Sequence, residues 1–170
     1  ESTLNPETRR AGGMHYTSIE NIHKVIDPLF IDDLTEELEE IRAIAVAKTK
    51  KSKLEEFQNK LAGLHFLDPA CGSGNVLTES YIALRKIENE ILMMKNELDK
   101  GQVAGQIMLG DLEGIENPIK VSIGQFYGIE INDFAVTVAK TALWIAESQM
   151  MKATEDVIHL NLDFLPLKSY

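Results

Sequence analysis

The sequence predicts an α/β fold: a short parallel sheet with crossover helices, preceded by a helical amino-terminal region. Three observations carry that prediction. Two short apolar runs, Leu64-His65-Phe66-Leu67 and Phe126-Tyr127-Gly128-Ile129-Glu130-Ile131, read as buried strands. Each is followed by a helix-length amphipathic stretch, and strand, helix, strand, helix in that order favours parallel pairing with helical crossovers. With 170 residues, 44% of them hydrophobic, the chain is long enough for one packed core and short for two.

Composition excludes several classes. The formal net charge of −10 argues against this chain alone being the main grip on a polyphosphate backbone. No run of about 18 apolar residues occurs, so no transmembrane helix is expected. Glu1 to Arg10 is polar and carries no signal-peptide core. The single cysteine, Cys71, leaves no partner for an intrachain disulfide or a multi-cysteine zinc site and fits a reducing, cytoplasmic setting.

Residues 1–13 read as a loose polar arm. Thr17-Ser18-Ile19-Glu20 is a capping-box pattern that opens a helix with Ile22, Ile26 and Leu29 or Phe30 on one face; Pro28 predicts a break or kink. Asp33 and Glu36 offer a second capping box. Six acids at 32–40, with Arg42, Lys48, Lys50, Lys51 and Lys53 later, suit the macrodipole of a helix whose stripe is Leu34, Leu38, Ile41 and Ala45. The lysine cluster reads as a solvated helix end, with DNA contact as the alternative. Leu54, Phe57, Leu61 and Leu64 continue a helical stripe up to Gly63, where the first strand follows.

Leu77, Leu84, Ile87, Ile91, Met94 and Leu98 define one long helix from about Asn75 to about Asp99, stopped by Gly101. Residues 101–124, with five glycines and Pro118, read as an irregular connection. After the second strand, Asp133 is expected to cap a helix to about Met150, with Ala135, Val138, Ala139, Ala142, Leu143 and Ala146 on its apolar face. Val157 to Leu162 is a weaker third strand. The division that results is residues 1–63 as arm and helices and 64–170 as the α/β core.

Two motifs carry chemistry. In Asp68-Pro69-Ala70-Cys71-Gly72-Ser73-Gly74-Asn75 a strand ends, a glycine turn follows and a helix begins. Glycine there permits positive φ and close backbone approach by a ligand. The unpaired N–H groups of the helix start favour a negative ligand group. In Tyr127-Gly128-Ile129-Glu130-Ile131-Asn132, Glu130 stands at the carboxyl end of the second strand, where a carboxylate accepts ribose hydroxyls in doubly wound folds. The bland alternative is that Glu130 caps the next helix or pairs with a lysine.

With Gly13-Met14-His15-Tyr16-Thr17-Ser18 ahead of these two motifs, the sequence resembles the adenine-specific DNA methyltransferases of restriction and phage-exclusion systems, in their gamma motif order. Asn5-Pro6-Glu7-Thr8-Arg9-Arg10 and Ala142-Leu143-Trp144 extend the resemblance over most of the chain. It implies a partial Rossmann-like methyltransferase fold and S-adenosylmethionine as cofactor. The same resemblance places Asp68 near the cofactor's methionine amine and the backbone of Ala70, Gly72 and Gly74 along it, with Pro69 and Asn75 in the same motif. Glu130 would take the ribose hydroxyls, Ile131 would lie against the adenine ring, and Tyr16 and Thr17 would close the methionine end. Thr17 has a rival role as helix cap, and Tyr16 as a core-edge aromatic. Cys71 reads as a small turn residue rather than a nucleophile, and the four histidines show no metal-ligand spacing.

Two departures from the family pattern stand out. The stretch from Asp68 to Glu130 is far longer than the roughly 20 residues of a compact nucleotide-binding unit. The family's catalytic Asn/Asp-Pro-Pro-Tyr/Phe tetrapeptide is absent, as no Pro-Pro occurs, and Asp163-Phe164-Leu165-Pro166 reads as a linker. No catalytic residue is therefore assigned. The expectation is an amino-terminal, cofactor-binding piece of a longer enzyme, inactive alone. Double-stranded DNA would be held mostly by regions outside it, with a fused or separate nuclease and no membrane. The alternatives are part of a protein or RNA methyltransferase, or a non-catalytic nucleotide-binding module.

Overall fold

Ser18, not Thr17, caps the first helix. In the computed structural model, which describes residues 17–102 and 118–158, Ser18 is extended and its hydroxyl accepts the Asn21 amide at 3.4 Å, opening α1 (Ile19–Ile26). Pro28 does not break the path. A π-helical turn, Asp27–Ile31, joins α1 to α2 (Asp32–Arg42), and the Asp32 amide reaches back to the Asp27 carbonyl. Proline lacks an N–H and crowds the carbonyl four residues back, and one wide turn absorbs both defects. Because α2 continues from that turn, its N-cap is Ile31 in helical geometry, and the capping box expected at Asp33 and Glu36 does not form.

Leu34, Leu38 and Ile41 are buried as the stripe requires. The helix stops at Arg42, however, so Ala45 is exposed in the connection and Ile44 packs on the core instead. The lysines therefore open a new helix, α3 (Ala47–Gly63), rather than closing the acidic one. Beyond its first turn, Lys51 pairs with Asp99, and Lys53 with Glu56 at 2.6 Å.

Strands β1 (Phe66–Asp68) and β2 (Phe126–Gly128) pair in parallel, Phe66 opposite Phe126 and Asp68 opposite Gly128. Both are shorter than the apolar runs suggested. The Gln125 side-chain amide donates to the carbonyls of Leu61 and Leu64, each at 2.8 Å, so Leu64 serves the end of α3 rather than the ladder. Phe66 and Phe126 stack at 4.8 Å on one face of the pair, with Tyr81 edge-on to Phe126. That face is covered by α4 (Asn75–Gln102), which runs on through Gly101, and α5 (Asp133–Ile158) packs along α4. Leu34, Leu38, Ile41, Leu54, Phe57 and Leu61 share one core cluster with Leu77, Leu84, Ile91 and Phe126.

Two expectations for α5 need correction. Its cap is Asn132, whose side-chain oxygen accepts the amides of Phe134 and Ala135, not Asp133. It also continues past Met150, so Val157 and Ile158 are helical and no strand begins there. Buried polar contacts hold this extension against α4. Thr154 donates to Asn89 at 2.6 Å and accepts from Arg85 at 2.6 Å. Arg85 pairs with Glu88 at 2.6 Å, both fully buried. Glu88 accepts the amides of Lys120 and Val121, which fixes the chain entering β2 behind the 3-10 turn Ile123–Gln125. The sequence reading missed this network, because charged residues inside a helical pattern ordinarily signal its solvated side. The loose arm, Tyr16, residues 103–117, and the readings placed on 159–166 lie outside the described residues.

Candidate functional site at the strand ends

The two motifs meet at the carboxyl ends of β1 and β2. Beyond the ladder, the Ile129 amide donates to the Asp68 carbonyl at 2.9 Å and the Cys71 amide to the Ile129 carbonyl at 3.1 Å. The turn after β1 is thereby stitched to the chain leaving β2. Asp68 folds back on the turn, its carboxylate accepting the Ala70 amide at 3.0 Å. Pro69 and Ala70 are exposed, and Asn75 opens α4.

Gly72 and Gly74 both have positive φ, 55° and 76°. Their surroundings differ. A Cβ added at Gly74 would lie 2.7 Å from the Ala139 Cβ, so this glycine lets α5 close against the turn. One added at Gly72 would meet nothing within 4 Å among the described residues, which leave the space in front of that backbone open. Gly128 carries a role the sequence reading did not assign, since a side chain there would strike the Cys71 sulfur at 2.6 Å.

Glu130 joins the two motifs directly. One carboxylate oxygen accepts the Gly72 amide at 3.0 Å; the other accepts the amides of Ile131 and Asn132, each at 2.8 Å. The side chain therefore organises its own loop, and with four acceptor positions on a carboxylate it retains capacity for a ligand hydroxyl. Its contact is to backbone amides, not the lysine of the bland alternative. Ile131 is 98% exposed beside it, an apolar side chain held out of the core by the turn. Thr17, released from capping, is exposed just ahead of α1. Burial, then the Asp68 and Glu130 carboxylates, push the Cys71 thiol up from 9.0, which keeps it protonated and a poor nucleophile. An open backbone cradle, a helix start and a carboxylate at adjacent strand ends form an arrangement that can hold a nucleoside with a charged tail.

Comparison with known proteins places the chain in a family. The model of the MmeI DNA-methyltransferase domain matches residues 44–170. The chain belongs to the MmeI DNA-methyltransferase domain family. It is 40% identical over 159 residues to DNA methyltransferase A of Bacillus subtilis (strain 168), covering 94% of this chain and 16% of that one. A Methanocaldococcus jannaschii protein named as a type II restriction enzyme and methyltransferase is 28% identical over 96 residues, 56% of this chain and 7% of that one. The solved structure of the type IIL restriction-modification enzyme MmeI in complex with DNA superimposes with a TM-score of 0.79 at 40% identity, covering 99% of this chain and 20% of that one. The chain thus spans a fifth or less of the length of these relatives. The family match agrees with the mostly helical, partial Rossmann-like architecture around β1 and β2. Among the described residues no helix is long and apolar enough to cross a membrane.

Proposed function

We propose that this chain is the S-adenosylmethionine-binding part of an adenine-specific DNA methyltransferase of a restriction-modification system. The observation that carries the reading is the Glu130 carboxylate on the Gly72 amide, which sets the ribose-type acid against the glycine turn. The open space at Gly72 and the exposed Ile131 fit a nucleoside lying between them. When bound, S-adenosylmethionine supplies an electrophilic methyl group. On this reading the chain's residues bind and orient. Pro69, Ala70, Gly72, Gly74 and Asn75 shape the cradle, and Asp68 receives the cofactor's amine. Glu130 receives the ribose, Ile131 packs on the base, and Tyr16 and Thr17 close the far end. Residues 1–63 contribute that closing element and 64–170 the cradle.

Alignment of a flipped adenine with the methyl group then falls to the catalytic tetrapeptide, and the grip on double-stranded DNA to a basic surface, both in the longer protein. The net charge of −10 suits that division. A nuclease, fused or separate, and a cytoplasmic setting complete the proposal. Titration calorimetry with S-adenosylmethionine tests it: the chain binds at one site, and Glu130→Ala weakens binding. Unchanged affinity in that variant removes Glu130 from the site, and transfer of labelled methyl to DNA by the isolated chain refutes its predicted inactivity.

A further inference from the structure

His23 stands on α1 between two carboxylates from different elements. Its Nδ1 lies 2.7 Å from Asp27 on the π turn and its Nε2 3.4 Å from Glu79 on α4. Ionised carboxylates only accept hydrogen bonds, so satisfying both contacts together requires both ring nitrogens to carry protons. The geometry selects the imidazolium. Among the described residues no other charged group pairs with this ring; Glu20 and Lys24, also on α1, pair with each other at 2.9 Å.

The bridge sits at a consequential place. Glu79 is in the first turns of α4, directly after the glycine turn, and Thr17 immediately precedes Ser18, the cap of α1. Ile22 and Ile26 of α1 are buried against Ala83 and Val76 of α4, and Phe30 and Ile31 join this cluster to the main core. To that packing the His23–Glu79 contact adds a charge-dependent tie, smaller than the contribution of the two buried isoleucines.

We infer that His23 is a positioning residue whose protonated ring ties α1, and with it Thr17, to the turn-bearing end of α4, so that cofactor affinity falls as the ring loses its proton. The inference rests on the cofactor reading above. The hydrogen bond to Asp27 first, then the weaker one to Glu79, raise the ring's pKa above 6.5 against the opposing effect of burial. A raised histidine pKa stabilises the docked arrangement fully below the unfolded value of 6.5. That contribution is lost as pH rises through the folded value.

The test compares the chain with His23→Gln and Glu79→Gln at pH 5.5 and 8.0. Protection factors of the α1 amides are measured by hydrogen exchange without ligand, and S-adenosylmethionine affinity by calorimetry. Partly exposed ion pairs shift equilibria by about two- to fivefold. The unsubstituted chain should lose about that much of both protection and affinity between the two pH values, beyond any change in the variants. The ligand's own titration is common to all three proteins and cancels in the comparison. Equal pH responses of α1 protection in the chain and in His23→Gln overturn the bridge. A protection response with affinity ratios equal in all three proteins overturns its link to the cofactor. A protection response with no binding at either pH overturns the cofactor reading itself, and leaves the bridge standing.

Discussion

Gly72 and Gly74 are two residues apart, share a positive φ, and should respond very differently to the same methyl group. Alanine in the left-handed region costs about 1–2 kcal/mol at either position. At Gly72 no clash is added to it, since the new Cβ meets nothing within 4 Å among the described residues. At Gly74 the Cβ arrives 2.7 Å from the Ala139 Cβ and 3.1 Å from its Cα, so α5 must move away from the turn. Overpacking of this kind adds about 1–3 kcal/mol. Gly74→Ala should therefore cost about 2–5 kcal/mol, a large part of the roughly 5–15 kcal/mol typical of a folded domain. Urea unfolding followed by circular dichroism measures both variants. The clash itself is isolated by adding Ala139→Gly, which alone costs about 1 kcal/mol as a helix glycine. In the Gly74→Ala background it should recover part of the loss, a favourable coupling of about 1 kcal/mol or more, with the crowded main chain of residue 139 limiting the relief. Equal costs for the two glycine variants, or strict additivity with Ala139→Gly, would refute the claim that Gly74 exists to admit α5.

The buried and paired charges give three further predictions. Glu88→Ala strands the fully buried Arg85 and should lower stability by about 3–5 kcal/mol in the same urea assay. Replacing the pair together, Arg85→Met with Glu88→Leu, should cost less than the single change, and a milder single variant contradicts the network's role. Glu55 is held down from 4.5 to about 2 by hydrogen bonds to Lys120 and then Lys95. A depressed carboxylate stabilises above its unfolded value and loses that contribution as pH falls, so Glu55→Gln should flatten the stability profile between about pH 4.5 and about pH 2. Alkylation of Cys71 by iodoacetamide at pH 8 should run slower than that of a free thiol, because burial and the two neighbouring carboxylates raise its pKa. A rate equal to glutathione's would overturn the assigned environment.

The strand-turn-helix motif was legible because its physics is local. Pro69 ends a strand, Gly72 and Gly74 permit the turn, and the amphipathic stripe starting at Leu77 repeats for a long helix. The closeness of Glu130 to that turn could be anticipated from topology, since parallel strands joined by a helix bring their carboxyl ends to one side. Less legible were features whose partner lies far along the chain. Nothing near Glu88 announces that it will receive the amides of Lys120 and Val121, and nothing near Gly128 announces the Cys71 sulfur. Two helix N-caps were also misjudged by a residue. Ser18 and Asn132 compete with the equally suitable neighbours Thr17 and Asp133, and only the backbone path decides between them.

By itself the sequence determined the α/β class, the two strands with the helix that follows each, and the two motifs with the family they resemble. Periodicity, turn residues and motif composition are written into consecutive residues. The tertiary structure alone decided that α2 and α3 are separate helices and that Pro28 sits in a π turn rather than a break. It also placed an arginine–glutamate pair in the core, and bound the Glu130 carboxylate to three backbone amides. Each of these depends on burial and on distant hydrogen-bond partners. Those terms are fixed only when the helices pack on the two-stranded sheet.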